Sequence, residues 1–147
     1  NTPWGNTGSL ICWESYMPLA RVALYEKGIT IYLAPNTNDN EEWQSTIKHI
    51  AIEGHCYFIN SNLFFTKDMY PDNLYDMEEI DKLDDIVCRG GSSIVDPYGH
   101  YEVEPLWDKE AILYADLNMD KVPMSRMEFD GCGHYARPDV LELKINE

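Results

Sequence analysis

A chain of 147 residues is long enough to bury one sizeable core, and 44% apolar residues with ten tyrosines and four tryptophans argue against intrinsic disorder. Eleven basic against twenty-six acidic residues give a formal charge of −15, which argues against a nucleic-acid backbone or an anionic membrane surface as partner. The cysteines at 12, 56, 88 and 132 lack zinc-knuckle or thioredoxin-type spacing, and no apolar run reaches membrane length, so a reducing, cytoplasmic setting is expected.

Residues 2–7 have turn composition, with Pro3, Gly5 and Asn6. The stretch Gly8-Ser9-Leu10-Ile11-Cys12-Trp13-Glu14-Ser15-Tyr16-Met17-Pro18 then sets a thiol directly after a short apolar run. Leu10 and Ile11 are predicted to end a buried strand, and Pro18 fits the first turn of the next helix. A cysteine at such an elbow would lie near backbone N–H groups able to stabilise a thiolate and later an oxyanion. The alternative is a small buried hydrophobe. The spacing predicts a helix from Pro18 to Lys27, with Leu19, Val22 and Ala23 inward and Gly28 as its stop. Ile29–Ala34 reads as a strand buried on both faces, which completes a βαβ unit and implies a partly parallel sheet.

Residues 35–40 form a loop at the C-terminal end of that strand, the edge where α/β sites gather. Glu41 and Glu42 open a second helix whose inward stripe is Trp43, Ile47, Ile50, Ala51 and Gly54. His49 and Glu53 lie one turn apart on another face, as an ordinary surface contact or as support for a site; no third residue at ligand spacing completes a metal site. Cys56–Phe65 is an apolar strand whose ordered part is expected to end at Asn60-Ser61-Asn62. From Thr66 to about residue 88 the chain is an acidic insertion with eight acids by Asp85. It reads as a solvated connection or a lid, with a short exposed helix within Asp76–Asp85.

Arg89–Gly99 gives a glycine-rich entry, a strand and a Pro-x-Gly turn, and Tyr101–Leu106 returns as the other arm of a hairpin. The paired glycines lack the lysine and spacing of a phosphate loop. Ala111–Leu117 is read as a further strand, Asp120–Met127 as a short helix, and the whole as a meander beside the βαβ unit in a mixed sheet. In the tail Gly131–Val140, His134 and Arg137 either contribute to catalysis or, with Tyr135 and Asp139, fix the tail. Leu141, Leu143 and Ile145 alternate as a terminal strand would.

With these stretches in hand, the chain resembles the nitrilase branch of the carbon–nitrogen hydrolases. The matching segments are Gly8–Arg21 around Cys-Trp-Glu, Ala34–Asn62 with Glu-Trp-Gln and His-Ile-Ala-Ile-Glu-Gly, Arg89–Gly99, and Ile112–Val140 with His-Tyr-Ala-Arg-Pro-Asp-Val. The resemblance implies that residues 1–147 are the C-terminal part of an α/β, four-layer α-β-β-α sandwich with mixed sheets. It also implies that Cys12 is the nucleophile and that no metal or organic cofactor is needed. The family's base glutamate and its lysine lie upstream of the cysteine motif, so neither is carried over; Glu14 is expected to orient the elbow or bind that lysine. The implied substrate is a small nitrile, converted through a thioimidate and an acyl-enzyme to acid and ammonia, and the family implies a homo-oligomer. The chain alone is expected to be incomplete and inactive. Alternatives are a truncated relic or assembly fragment that binds a complementary N-terminal half, or a cyanide hydratase or amidase-type member.

Overall fold

The computed structural model describes residues 1–74 and 77–146. Strand β1 (Asn6–Ser9) leads through a 3-10 turn (Cys12–Tyr16) into α1 (Pro18–Glu26) and β2 (Ile29–Asn36); β2 is followed by α2 (Glu41–Gly54) and β3 (Tyr57–Asn62). β1, β2 and β3 are parallel neighbours, Ser9 pairing with Leu33 and Leu33 with Ile59, so the βαβ expectation holds and is repeated once. β4 (Phe64–Thr66), β5 (Ile86–Val95) and β6 (Tyr101–Trp107) make the sheet mixed. β5 runs antiparallel to β3 and then β4 on one side and to β6 on the other.

Helices α1 and α2 cover one face of this sheet. Trp43, Ile47, Ile50 and Ala51 from α2 and Tyr25 from α1 pack on Tyr32, Ala34, Phe58 and Val95. The Tyr32 and Phe58 rings stack at 4.7 Å, and Trp43 meets Phe58 edge-on at 6.3 Å. Each ring removes roughly 150–250 Å² from water, so these aromatics hold the helix layer to the sheet. The other face of β2 differs from expectation: Ile31 and Leu33 are only half-buried. The chain supplies one sheet and its α1–α2 layer, and the second sheet of a four-layer sandwich would cover those residues.

Further corrections follow from partners that patterning cannot see. β1 ends at Ser9, so Leu10 and Ile11 lie past the strand, with Ile11 exposed. In α1 the most buried residues are Arg21 and Tyr25, because both polar side chains find Glu53 on α2; of the expected apolar stripe Val22 packs partly buried on the core, whereas Leu19 is exposed. β3 continues through Asn60-Ser61-Asn62, since both asparagines are buried and hydrogen-bonded. Residues 111–118 and 141–146 run without strand pairing, mostly exposed. Helix α4 (Lys121–Glu128) does form, and Arg126 ties it to the start of β2 through Ile29 O at 2.8 Å.

The acidic insertion contains a single 3-10 turn (Lys67–Met69) and helix α3 (Met77–Asp81); Asp76 of the expected helix lies outside the described residues. Lys67 N donates to Asp85 O at 2.9 Å and closes its base. The glycine pair is a bulge in β5. Gly90 and Gly91 have φ of +84° and +95°, and a Cβ on Gly91 would stand 2.5 Å from the Trp107 ring.

Candidate active site

Cys12 is the first residue of the 3-10 turn that links β1 to α1, and its φ is +50°. A non-glycine residue in the left-handed region costs about 1–3 kcal/mol and persists only where its surroundings over-determine it. A strained strand-to-helix turn of this kind is how α/β enzymes hold a nucleophile clear of the sheet. The thiol is partly exposed, whereas Cys56 and Cys88 are buried; all four cysteines are free.

The turn is tied down at both ends. Ile11 N donates to Glu14 Oε2 at 2.7 Å and Glu14 N donates to Ile11 O at 3.0 Å, a reciprocal box around the cysteine. At its far end Ser15 is fully buried, and its Oγ accepts from Tyr32 OH at 3.1 Å. Arg21 Nη1 donates to Ser15 O at 2.9 Å, while its Nε and Nη2 fork onto Glu53 at 2.8 and 3.2 Å. Tyr25 OH also donates to Glu53, at 2.9 Å. Burial alone would push the Glu53 carboxyl up, but the hydrogen bonds from Arg21 and Tyr25 outweigh it and hold the group below its ordinary value.

The remaining residues singled out from the sequence fall elsewhere. His49 is exposed and touches Glu53 Oε2 at 3.1 Å, so it joins this helix pair rather than the thiol. His134 meets the Tyr135 ring edge-on, and Arg137 forks onto Asp139 two residues away at 2.8 and 2.7 Å, with both partners exposed. That ion pair ties the tail to itself. Among the described residues, no hydrogen bond links His134, Arg137 or the acidic insertion to the cysteine turn.

Sequence reasoning missed a buried amide network at the same sheet edge. Asn60 Oδ1 accepts from Asn36 Nδ2 at 2.6 Å and from Trp43 Nε1 at 3.0 Å, and Asn60 Nδ2 donates to Gly91 O at 2.8 Å. Gln44 Nε2 donates to the same carbonyl at 2.8 Å, and its Oε1 accepts from Tyr101 OH at 3.0 Å. Asn62 Nδ2 donates to Asn38 O at 2.6 Å and to Gly90 O. The β5 bulge thus offers its carbonyls to the side-chain amides of β3. Asn38 Nδ2 in turn reaches Tyr16 OH at 3.4 Å, joining this edge to the cysteine turn. A cavity of about 350 Å³ opens here, lined by Asn36, Asn62, Gly90, Ser92 and Lys109 among others. The legible signal was spacing: Asn60 and Asn62 share one face of a strand, in register with Ala34 and Asn36.

The carbon-nitrogen hydrolase family matches residues 1–126. The chain is 44% identical over 146 residues to the aliphatic nitrilase of Sinorhizobium fredii, covering 99% of this chain and 47% of that protein. It is 42% identical to nitrilase 2 of Arabidopsis thaliana, covering all of this chain and 44% of that protein. It is 41% identical to a bifunctional nitrilase/nitrile hydratase of Nicotiana tabacum, of which it covers 43%. The chain therefore spans a little under half the length of these relatives. Two solved structures share the fold at low identity. The NitFhit protein of C. elegans has a TM-score of 0.69 at 21% identity, covering 99% of this chain and 32% of that one. A carbon-nitrogen hydrolase from Helicobacter pylori has a TM-score of 0.68 at 22% identity, covering 87% of this chain and 45% of that one. Sequence match and shared fold agree: the chain belongs to the carbon-nitrogen hydrolase family.

Proposed function

We propose that this chain carries the nucleophile of a nitrilase-type hydrolase and that Cys12 attacks the carbon of a small nitrile. The observation that carries the reading is the left-handed, partly exposed Cys12 at a strand-to-helix turn, in a family that hydrolyses carbon–nitrogen bonds. Attack of the thiolate forms the C–S bond, and the nitrile nitrogen takes a proton to give a thioimidate. One water adds, ammonia leaves, and a thioester remains on Cys12. A second water releases the carboxylic acid and returns the thiol.

Such a sequence needs a base for the waters and a cation or donor for the charge that develops on them. Among the described residues no hydrogen bond or ion pair reaches the Cys12 thiol, and the nearby Glu14 carboxylate is engaged by Ile11 N. We assign both tasks to the glutamate and lysine that the family resemblance places upstream of the cysteine motif, so that turnover belongs to a longer polypeptide or assembly. A second outcome is favoured by the bifunctional relative: expulsion of the thiolate in place of ammonia, after the first water adds, releases the amide.

Exposure of the chain to an activated aliphatic nitrile, followed by peptide mass spectrometry, tests the assignment. The expected result is an adduct of the nitrile's own mass on the peptide carrying Cys12, lost in Cys12→Ala. Labelling of the exposed Cys132 at the same rate as Cys12 would overturn it. In the longer protein, the ratio of acid to amide product separates the two outcomes.

A further inference from the structure

The geometry points to Arg21 as the positioning residue of the cysteine turn, held in place by Glu53; this inference rests on the reading of Cys12 as nucleophile. Its side chain is 9% exposed, a degree of burial that arginine reaches only when paired. Its guanidinium serves two elements at once, with Nη1 on the carbonyl of Ser15 and the remaining fork on Glu53 of α2. Ser15 lies three residues after Cys12, at the end of the turn where carbonyls lack intrahelical partners. Tyr25 and His49 orient the carboxylate from α1 and α2, so the anchor behind Arg21 is itself fixed by two further contacts.

A left-handed backbone at Cys12 needs such support, because no local preference of cysteine holds it there. Side-chain ties on the turn include Glu14 on Ile11 N, Tyr32 on Ser15 Oγ, Asn38 on Tyr16 OH, and Arg21 on Ser15 O. The last, through Glu53, is an ionic tie from the turn to the second helix, beside the packing of the Tyr16 ring on Trp43 at 5.3 Å. Arginine is required by shape as well as charge, since lysine cannot present parallel donors to a carboxylate and a separate donor to a carbonyl.

The four thiols supply internal reporters. Alkylation by iodoacetamide, followed residue by residue with mass spectrometry, is compared among the chain, Arg21→Lys and Glu53→Gln. Arg21→Lys keeps the charge and loses the fork, and the Cys12 rate is expected to fall about three- to tenfold. Glu53→Gln separates position from field: removing an anion near the turn favours a thiolate, so a purely electrostatic role would speed Cys12. Loss of the anchor is expected to slow it instead. Throughout, buried Cys56 and Cys88 stay protected, and Cys132, which lines a cavity with Glu53, is the reference thiol for Arg21→Lys, where its rate stays unchanged. An unchanged Cys12 rate in Arg21→Lys, or a faster one in Glu53→Gln, overturns the assignment. So does exposure of Cys56 in both variants, which would make Arg21 a support of the whole core. If the chain forms no nitrile adduct while Cys12 alkylation still depends on Arg21, the nitrilase reading fails and the positioning role stands.

Discussion

Asn60→Leu tests whether the amide network at the C-terminal ends of β2 and β3 is as tightly coupled as its geometry implies. Asn60 is 2% exposed and leucine has the same branched arrangement of heavy atoms, so the substitution deletes the hydrogen bonds while keeping the side chain's shape, with two bulkier methyl groups in place of the amide atoms. Three of its four partners keep another bond: Asn36 Nδ2 retains Ala34 O at 3.0 Å, Gly91 O retains Gln44 Nε2 at 2.8 Å, and Ser93 Oγ retains Gln44 Oε1 at 3.2 Å. The indole N–H of Trp43, 1% exposed, is left with no acceptor. One orphaned buried donor at about 1–3 kcal/mol, plus about 1 kcal/mol for the bonds lost elsewhere, predicts a loss of about 2–4 kcal/mol. Asn60→Asp keeps both acceptor roles but sets a carboxylate oxygen against Gly91 O, so at neutral pH it should cost more than leucine. Its carboxyl would be pushed above the unfolded value, so its deficit should shrink as pH falls and the protonated form donates to Gly91 O. Urea unfolding at constant slope measures each variant. A cost below about 1 kcal/mol for Asn60→Leu, or an aspartate milder than leucine at neutral pH, would refute the reasoning. Pairing Asn60→Leu with Trp43→Phe removes the orphan, and the two should be coupled by about 1 kcal/mol or more.

Gly54→Ala places a Cβ 2.3 Å from Tyr25 Cε1 at the α1–α2 contact; a loss of about 1–3 kcal/mol in urea is expected, and no loss would deny that close approach. His55 caps α2 with φ of +47°, and both its ring nitrogens are buried without partners among the described residues. Burial holds its pKa below the ordinary 6.5, so its neutral form is stable above that value and the unfolded chain takes up the proton first as pH falls. His55→Asn, which tolerates the left-handed backbone, should flatten the loss of stability between about pH 7 and 5, and an unchanged pH profile would refute this account. Burial alone would push Asp96 up, but Lys121 and the amides of His100 and Tyr98 hold it below its ordinary 3.8; its stabilising share is therefore present above that pH and lost as pH falls through the folded value. Lys121→Met should cost about 1–3 kcal/mol at neutral pH and weaken this acid dependence, both read from denaturation midpoints.

Local chemistry settled much of the architecture. Apolar periodicity gave the βαβ unit and the inward stripe of α2, where the residues that repeat every three or four positions are those that meet the sheet. The Pro-x-Gly turn fixed the β5–β6 hairpin, and the order of short motifs marked Cys12 and the family. These features rest on contacts between near neighbours in the chain, which sequence spacing encodes directly. Where a partner is distant, the same spacing misled. The segment 111–117 has the composition of a strand and pairs with no strand among the described residues, and Leu19 has the position of a core residue and lies exposed.

Only the tertiary structure decided what surrounds Cys12. Arg21 looks like a surface charge on an amphipathic helix until Glu53, thirty-two residues away, accepts its fork. The Asn60–Asn62 run looks like the end of a strand until the bulge at Gly90-Gly91 turns its carbonyls toward those amides. A polar group is buried without a large desolvation cost only when its partner is in place, and that partner is supplied by the fold. The sequence by itself determined that a cysteine lies in the connection from the first strand to the first helix of a parallel unit. The folded chain alone determined that its backbone is left-handed and that an arginine from α1 and a tyrosine from β2 join the local Glu14 bond in holding the turn, because the tyrosine bond and the Glu53 anchor behind the arginine close only after the helices have packed on the sheet.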